Sequence, residues 1–96
     1  MELIDTVEWM NSPDYKMRFV AEFHQTRLRY QKLKDMLEMH KNGVLGFTPT
    51  CPIDLLEKQL QAMSDYLYVL IHRAHIEDIN LFVKVSLPSE QEVIKQ

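Results

Sequence analysis

The sequence predicts an all-α fold, in which a short N-terminal helix precedes a long antiparallel helical hairpin. Three observations lead to this prediction. Apolar residues in the second half of the chain recur at alternating steps of three and four, the spacing that puts side chains on one stripe of a helix. The first half carries a matching stripe. Only two glycines occur among the 96 residues, whereas the helix-favouring residues Leu, Met, Glu, Gln and Lys are common.

The two stripes define the hairpin. The stripe of the second half consists of Ile53, Leu56, Leu60, Met63, Leu67, Leu70 and Ala74. The stripe of the first half consists of Phe19, Phe23, Thr26, Tyr30, Leu33, Leu37 and His40. One short loop joins them, so we expect a single helical-hairpin domain over residues 1–96.

Capping residues predict the bounds of the helices. Apolar residues at helical spacing indicate a short helix within residues 1–11. Ser12 as N-cap and Pro13 at the first helical position predict that helix one covers residues 12–42. Gly43 suits the left-handed position that follows a helix. Pro52 predicts the start of helix two, which we expect over residues 52–79.

The last part of the chain has a different pattern. Residues 81–87 are rich in β-branched residues, and Pro88 ends that run. We therefore expect a short C-terminal arm over residues 81–96. Its first part, residues 81–87, should be an extended segment or a short strand. Ser89 and Glu92 form a capping-box pattern that predicts a last short helix over residues 89–95.

Helix two has more apolar surface than one partner can cover. Residues 66–71 (YLYVLI) are apolar on more than one face, and a helix that is apolar all round is normally buried all round. A small domain also closes its core poorly on its own. The sequence therefore predicts that the hairpins assemble into a homo-oligomeric helical bundle.

Composition excludes several classes of function. The net charge is −3, which argues against general nucleic-acid binding. The longest apolar run has six residues (66–71), far too few to span a bilayer, and no signal peptide is recognisable, so we expect a cytoplasmic protein with no membrane partner. Cys51 is the single cysteine, which rules out an intramolecular disulfide.

Patterns for metal binding and catalysis are incomplete. His72 and His75 stand three apart with Asp78 three further on, but a zinc site needs three or four ligands and these histidines can equally pack or donate hydrogen bonds. Cys51 at a helix N-terminus would favour the thiolate, yet no base is adjacent in sequence, and a small residue near a helix start is the simpler interpretation. We therefore expect that the protein is not an enzyme and that it binds no cofactor and no metal ion.

A basic cluster is the candidate ligand site. Residues 12–42 carry seven basic and four acidic side chains, and closing the hairpin near residue 47 gathers many of the basic and aromatic ones at its open end. Arginine pairs with phosphate, and aromatic rings stack on bases. The candidate ligand-binding residues are Tyr15, Lys16, Arg18, His24, Arg27, Tyr30, His72, Arg73 and His75. The competing interpretation is an ordinary solvated helix face.

Two stretches resemble a family of small phage and prophage helical-hairpin proteins, abundant in gut phages. The first is residues 10–16 (MNSPDYK), continuing through Phe19 and Glu22 to residues 29–33 (RYQKL). The second is residues 51–67 (CPIDLLEKQLQAMSDYL). The resemblance covers roughly residues 10–81. A short helix before a long hairpin is also distantly similar to phage anti-defence sponges, which are oligomers that sequester cyclic oligonucleotides or related immune signals without cleaving them.

Two functions follow from this resemblance and the basic cluster. The first is a phage anti-defence protein in the cytoplasm of an infected bacterium, which sequesters a small nucleotide-derived signal, such as a cyclic oligonucleotide or an ADP-ribose derivative. The second is a protein-interaction module that inhibits a host defence protein or scaffolds phage assembly. The second needs only the apolar faces and the six methionines, because Met adapts to varied partners.

Overall fold

The computed structural model describes residues 1–82, and over that range the chain is helical with no strand. A 3₁₀ turn, Leu3–Thr6, leads directly into α1 (Val7–Met10). The two long helices are α2 (Tyr15–Lys41) and α3 (Ile53–Ile76). The all-α prediction is confirmed for this range. The predicted helix over residues 89–95 and most of the C-terminal arm lie outside the described residues.

The first helical residue of α2 is Tyr15, two residues after the predicted Pro13, because Asp14 rather than Ser12 is the N-cap. Asp14 has an extended backbone, and its carboxylate accepts a hydrogen bond from the N–H of Lys16 at 2.9 Å. The Ser12 hydroxyl instead accepts from the N–H of Asp14 at 3.1 Å. Pro13 therefore precedes the N-cap and does not occupy the first helical position.

Both long helices end at a residue in the left-handed conformation. Gly43 has φ +72°, as predicted from its lack of a side chain. Asp78 has φ +57°, which ends α3 at Ile76, three residues before the predicted end. The N–H of Ile79 then donates to the carbonyl of Ala74 at 2.8 Å, which satisfies a terminal carbonyl of α3. Asp tolerates this conformation better than most residues.

Helices α2 and α3 lie antiparallel, and all the buried residues lie near their open end. Tyr15 at the start of α2 contacts Glu77 just after α3. α1 covers a second face of α2 here, so α2 is covered on two sides. The buried apolar residues are Trp9, Phe19, Val20, Ala21, Phe23, Leu70, Ala74, Ile79 and Leu81.

The loop-end half of the pair is much more open. No residue between 25 and 69 is buried. The predicted stripe residues in this half, such as Leu33 and Leu60, are half-buried, because each helix has only one neighbour there. α3 starts at Ile53, one residue after Pro52, which serves as the N-cap.

Helix α3 also carries a second apolar stripe on its outer face. Leu55, Tyr66, Val69 and Ile76 share this face at helical spacing and are 55%, 43%, 51% and 80% exposed. The surplus apolar surface expected of residues 66–71 is therefore present, and nothing within residues 1–82 covers it. None of the helices in this range is long and apolar enough to cross a membrane.

Truncation of two neighbouring residues of α3 tests which face of this helix packs into the core. Leu70 is fully buried, whereas its isomer Ile71 is 48% exposed. Leu70→Ala should lower the free energy of unfolding by about 2–5 kcal/mol, because it leaves a cavity. Ile71→Ala should change it by under about 1 kcal/mol. Urea unfolding of both variants measures the difference, and equal losses would contradict the assignment of Leu70, and not Ile71, to the core face of α3.

Candidate functional site

Three side chains form a closed hydrogen-bonded ring across the open end of the helix pair. Tyr15 Oη donates to Glu77 Oε1 at 2.7 Å, and Arg73 Nη2 donates to Tyr15 Oη at 2.7 Å. Arg73 Nε donates to Glu77 Oε2 at 3.1 Å, which completes the ring. The ring ties the first turn of α2 to the end of α3. We call Tyr15, Lys16, Arg73 and Glu77 the open-end cluster.

The guanidinium of Arg73 is held in place by its surroundings. Its central carbon lies 4.9 Å from the centre of the buried Phe19 ring, a cation–π contact. The ring of Tyr15 meets Phe19 edge-on, with ring centres 6.2 Å apart. A guanidinium has five N–H donors, and the hydrogen bonds to Tyr15 and Glu77 use only two of them. Arg73 therefore retains donors for an anion.

Two more cations lie in the first turn of α2, each donating to a backbone carbonyl. Lys16 Nζ donates to the carbonyl of Asp78 at 3.1 Å, next to the left-handed end of α3. Arg18 Nη1 donates to the carbonyl of Ser12 at 2.8 Å. Both side chains are exposed, so their charge is available at the surface.

The hydrogen bonds between Tyr15, Arg73 and Glu77 also shift the pKa values of these three side chains. The hydrogen bond from Tyr15 lowers the pKa of Glu77, and the same bond raises the pKa of Tyr15. The hydrogen bond to Glu77 raises the pKa of Arg73. At neutral pH, Arg73 is therefore cationic, Glu77 anionic and Tyr15 neutral. With Lys16 included, the open-end cluster has a net positive charge.

His24 and Arg27 belong to a separate, buried arrangement. His24 Nε2 lies 2.6 Å from the carbonyl of Leu81, and His24 Nδ1 accepts a hydrogen bond from Arg27 Nε at 3.2 Å. The neutral tautomer that satisfies both bonds carries its proton on Nε2. Burial lowers the pKa of His24, and the ring of Trp9 lies 5.6 Å away. His24 therefore joins α1 and α2 to the segment after α3.

The other predicted residues lie apart from these groups. His72 is exposed and stacks on Tyr68, with ring centres 4.6 Å apart. Tyr30 is half-buried in the middle of α2, and His75 is exposed on α3. Within residues 1–82, no hydrogen bond or ring contact links Tyr30 or His75 to the open-end cluster.

Sequence reasoning missed two members of the site region. Glu77 stands four residues after Arg73, a spacing that favours an ion pair on a helix and could have identified it. Phe19 was assigned to the helix stripe alone, although it also supports Arg73. The acceptor of the His24 bond is a backbone carbonyl, for which side-chain patterns provide no signal.

A groove at the opposite end was also not predicted. It lies between α2 and α3 near the connecting loop and has a volume of about 360 Å³. Its lining residues are Lys34, Leu37, Glu38, His40, Lys41, Ile53, Glu57 and Leu60. Cys51 is exposed at this end of the molecule. In residues 1–82, no group of three His, Cys, Asp or Glu side chains is placed to hold a metal ion.

The buried histidine makes stability depend on pH. Because the pKa of His24 is lowered in the folded protein, the unfolded chain binds more protons as the pH falls below the ordinary value of 6.5. Stability should be fully present above this pH and decrease below it, by at most about 1.4 kcal/mol per pH unit. Urea unfolding at pH 7.5 and pH 5.5, followed by Trp9 fluorescence, measures the loss.

His24→Asn is the control for this dependence. Asn retains an N–H donor for the carbonyl of Leu81 but does not titrate, so the variant should lose less stability over the same pH range. The lowered pKa of Glu77 acts below its ordinary value of 4.5, outside this window. An unchanged pH dependence in His24→Asn would show that another group is responsible.

One comparison with known proteins identifies a relationship. The family model described as Sequestin matches residues 13–76, about two-thirds of the chain. The match includes both long helices and the connecting loop, and therefore Tyr15, Lys16 and Arg73. No curated protein and no solved structure matches the chain.

Proposed function

Since the chain belongs to the Sequestin family, we propose that it is a phage anti-defence protein, a sponge that binds a small nucleotide-derived signal without cleaving it. The family name indicates a sequestering, binding role. The observation that carries the proposal is the orientation of Arg73, which Phe19 and Glu77 hold at the open end beside Lys16. A guanidinium held in this way loses little side-chain entropy when it binds a phosphate.

Each member of the cluster has a part in the proposed binding. Arg73 pairs with a phosphate through its remaining donors, and Lys16 and Arg18 add positive charge beside it. Tyr15 is 45% exposed and offers a ring on which a base can stack. His72 and His75 are exposed on the same half of α3 but lie apart from the cluster, and the proposal does not require them. His24 and Arg27 already have partners in the fold, and the proposal does not draw on them.

Protonation states favour binding over catalysis. A general acid or base works best with a pKa near the operating pH. In the open-end cluster, hydrogen bonding moves the pKa of Glu77 down and that of Tyr15 up, away from neutrality in both cases. The cluster therefore has the chemistry of an anion-binding surface.

Calorimetry against cyclic dinucleotides, cyclic trinucleotides and ADP-ribose derivatives tests the proposal. At least one of these ligands should bind the intact protein and be recovered unchanged. Arg73→Gln should weaken the binding at least about tenfold, because a charge-assisted hydrogen bond is lost. Lys16→Ala should weaken it less, because Lys16 contributes mainly charge.

Arg29→Gln is the matched control. Arg29 is an exposed arginine of α2 outside the cluster, so its removal should leave binding within about twofold. Circular dichroism checks that each variant remains helical. Failure of every ligand to bind, or an equal effect of Arg29→Gln and Arg73→Gln, would contradict the proposal.

The outer stripe of α3 favours a second candidate function, binding of a host protein through an apolar helix face. Leu55, Tyr66, Val69 and Ile76 present such a face to solvent. Leu55→Asp would disrupt it at a position about five turns from Arg73, away from the open-end cluster. In a phage plating assay on a defended host, protein binding predicts that Leu55→Asp abolishes protection while Arg73→Gln preserves it. Sequestration of a nucleotide predicts the reverse.

A further inference from the structure

We infer that Glu77 determines the ligand specificity of the open-end cluster, by accepting a hydrogen bond from a ribose hydroxyl of the bound nucleotide. The inference rests on the proposed function, because it concerns the same ligand at the same cluster. It narrows the ligand class to nucleotides that carry a free hydroxyl on their sugar.

Glu77 has spare capacity to accept hydrogen bonds. An ionised carboxylate offers about four lone-pair positions on its two oxygens. Within residues 1–82, hydrogen bonds use one position on each oxygen, from Tyr15 Oη to Oε1 and from Arg73 Nε to Oε2. The side chain of Glu77 is 32% exposed and that of Arg73 is 46% exposed, so a single ligand can reach both.

The charge of Glu77 limits the groups that it can bind. Its carboxylate is ionised at neutral pH, since the hydrogen bond from Tyr15 lowers its pKa. An ionised carboxylate only accepts hydrogen bonds, and it repels a phosphate, so its partner on the ligand must be a donor. A nucleotide has two kinds of donor, the hydroxyls of the sugar and the N–H groups of the base.

The position of Glu77 favours the sugar over the base. Glu77 accepts hydrogen bonds from both Arg73, the proposed partner of the phosphate, and Tyr15, the proposed partner of the base. In a nucleotide, the sugar likewise connects the phosphate to the base. Acidic side chains bind ribose hydroxyls in dinucleotide-binding proteins as well. The three parts of one nucleotide would therefore each meet a side chain of suitable chemistry.

A purely structural role of Glu77 leads to a different expectation. If Glu77 only oriented Arg73, its removal would weaken the binding of every nucleotide by the same factor. If Glu77 binds a hydroxyl, its removal should abolish the difference in affinity between a nucleotide and an analogue that lacks this hydroxyl. The ratio of the two affinities therefore separates the two roles.

Calorimetry with cyclic di-AMP, cyclic tri-AMP and ADP-ribose tests the inference, each compared with analogues that lack one ribose hydroxyl. For a ligand that binds, the wild type should bind at least one analogue about tenfold more weakly, because a hydrogen bond to a charged acceptor is lost. Glu77→Ala should bind that ligand and that analogue within about twofold of each other. Glu77→Gln should retain part of the difference, because an amide oxygen makes a weaker, neutral hydrogen bond.

Glu57→Ala is the matched control. Glu57 is an exposed glutamate near the opposite end of α3, so its removal should leave the preference for the ribose form unchanged. Circular dichroism checks that each variant remains helical. Equal binding of a ligand and all its analogues by the wild type overturns the inference and leaves the proposed function intact. A preference that Glu77→Ala retains does the same. Failure of all three parent ligands to bind contradicts the proposed function, and the inference with it.

Discussion

Two helices that pack only against each other can each bury one stripe of side chains. The rest of this structure depends on where a third element covers a second side of a helix. At the open end, the 3₁₀ turn and α1 cover a second side of α2, and the segment after α3 returns to Phe23 and His24. Within residues 1–82, every buried residue lies in this region. Beyond it, α2 and α3 continue as two helices with a half-open seam.

This asymmetry also explains the position of the candidate site. A side chain that must bind an anion needs a firm support, and firm support exists only next to the core. Phe19 is buried, and its ring carries Arg73 on one side while Tyr15 packs against its edge. Among the contacts of residues 1–82, no aromatic ring supports the exposed lysines and arginines further along α2 in this way. The open-end cluster thus combines charge at the surface with rigidity from the core beneath it.

The loop-end half presents a different physical situation. Its apolar residues are partly exposed and its charges are segregated, basic on α2 and acidic on α3. The helix pair thus has an open end with a packed core, which carries the open-end cluster, and a loop-end half in which the seam between α2 and α3 is half-exposed.

Much of the fold could be predicted from local patterns. The heptad stripes predicted both long helices and the faces that pack, and Gly43 predicted the end of α2, because these depend on a few neighbouring residues. The errors also have local causes. Asp14 displaced Ser12 as the N-cap, and Asp78 took the left-handed conformation usually adopted by glycine. An aspartate is chemically able to take either role, N-cap or left-handed residue. The path of the chain decides which of the suitable residues takes it.

The candidate site was predicted less completely. Tyr15, Lys16 and Arg73 were expected together, and they do lie together, because antiparallel helices bring the two ends of the chain segment into contact. Tyr30 lies away from them, and His24 is buried with its own partners. Composition and periodicity determined by themselves that this chain is helical, that α2 is its basic element and that α3 has surplus apolar surface. Only the tertiary structure decided which cations are supported and which face stays open, because burial depends on where α1 and the segment after α3 pack.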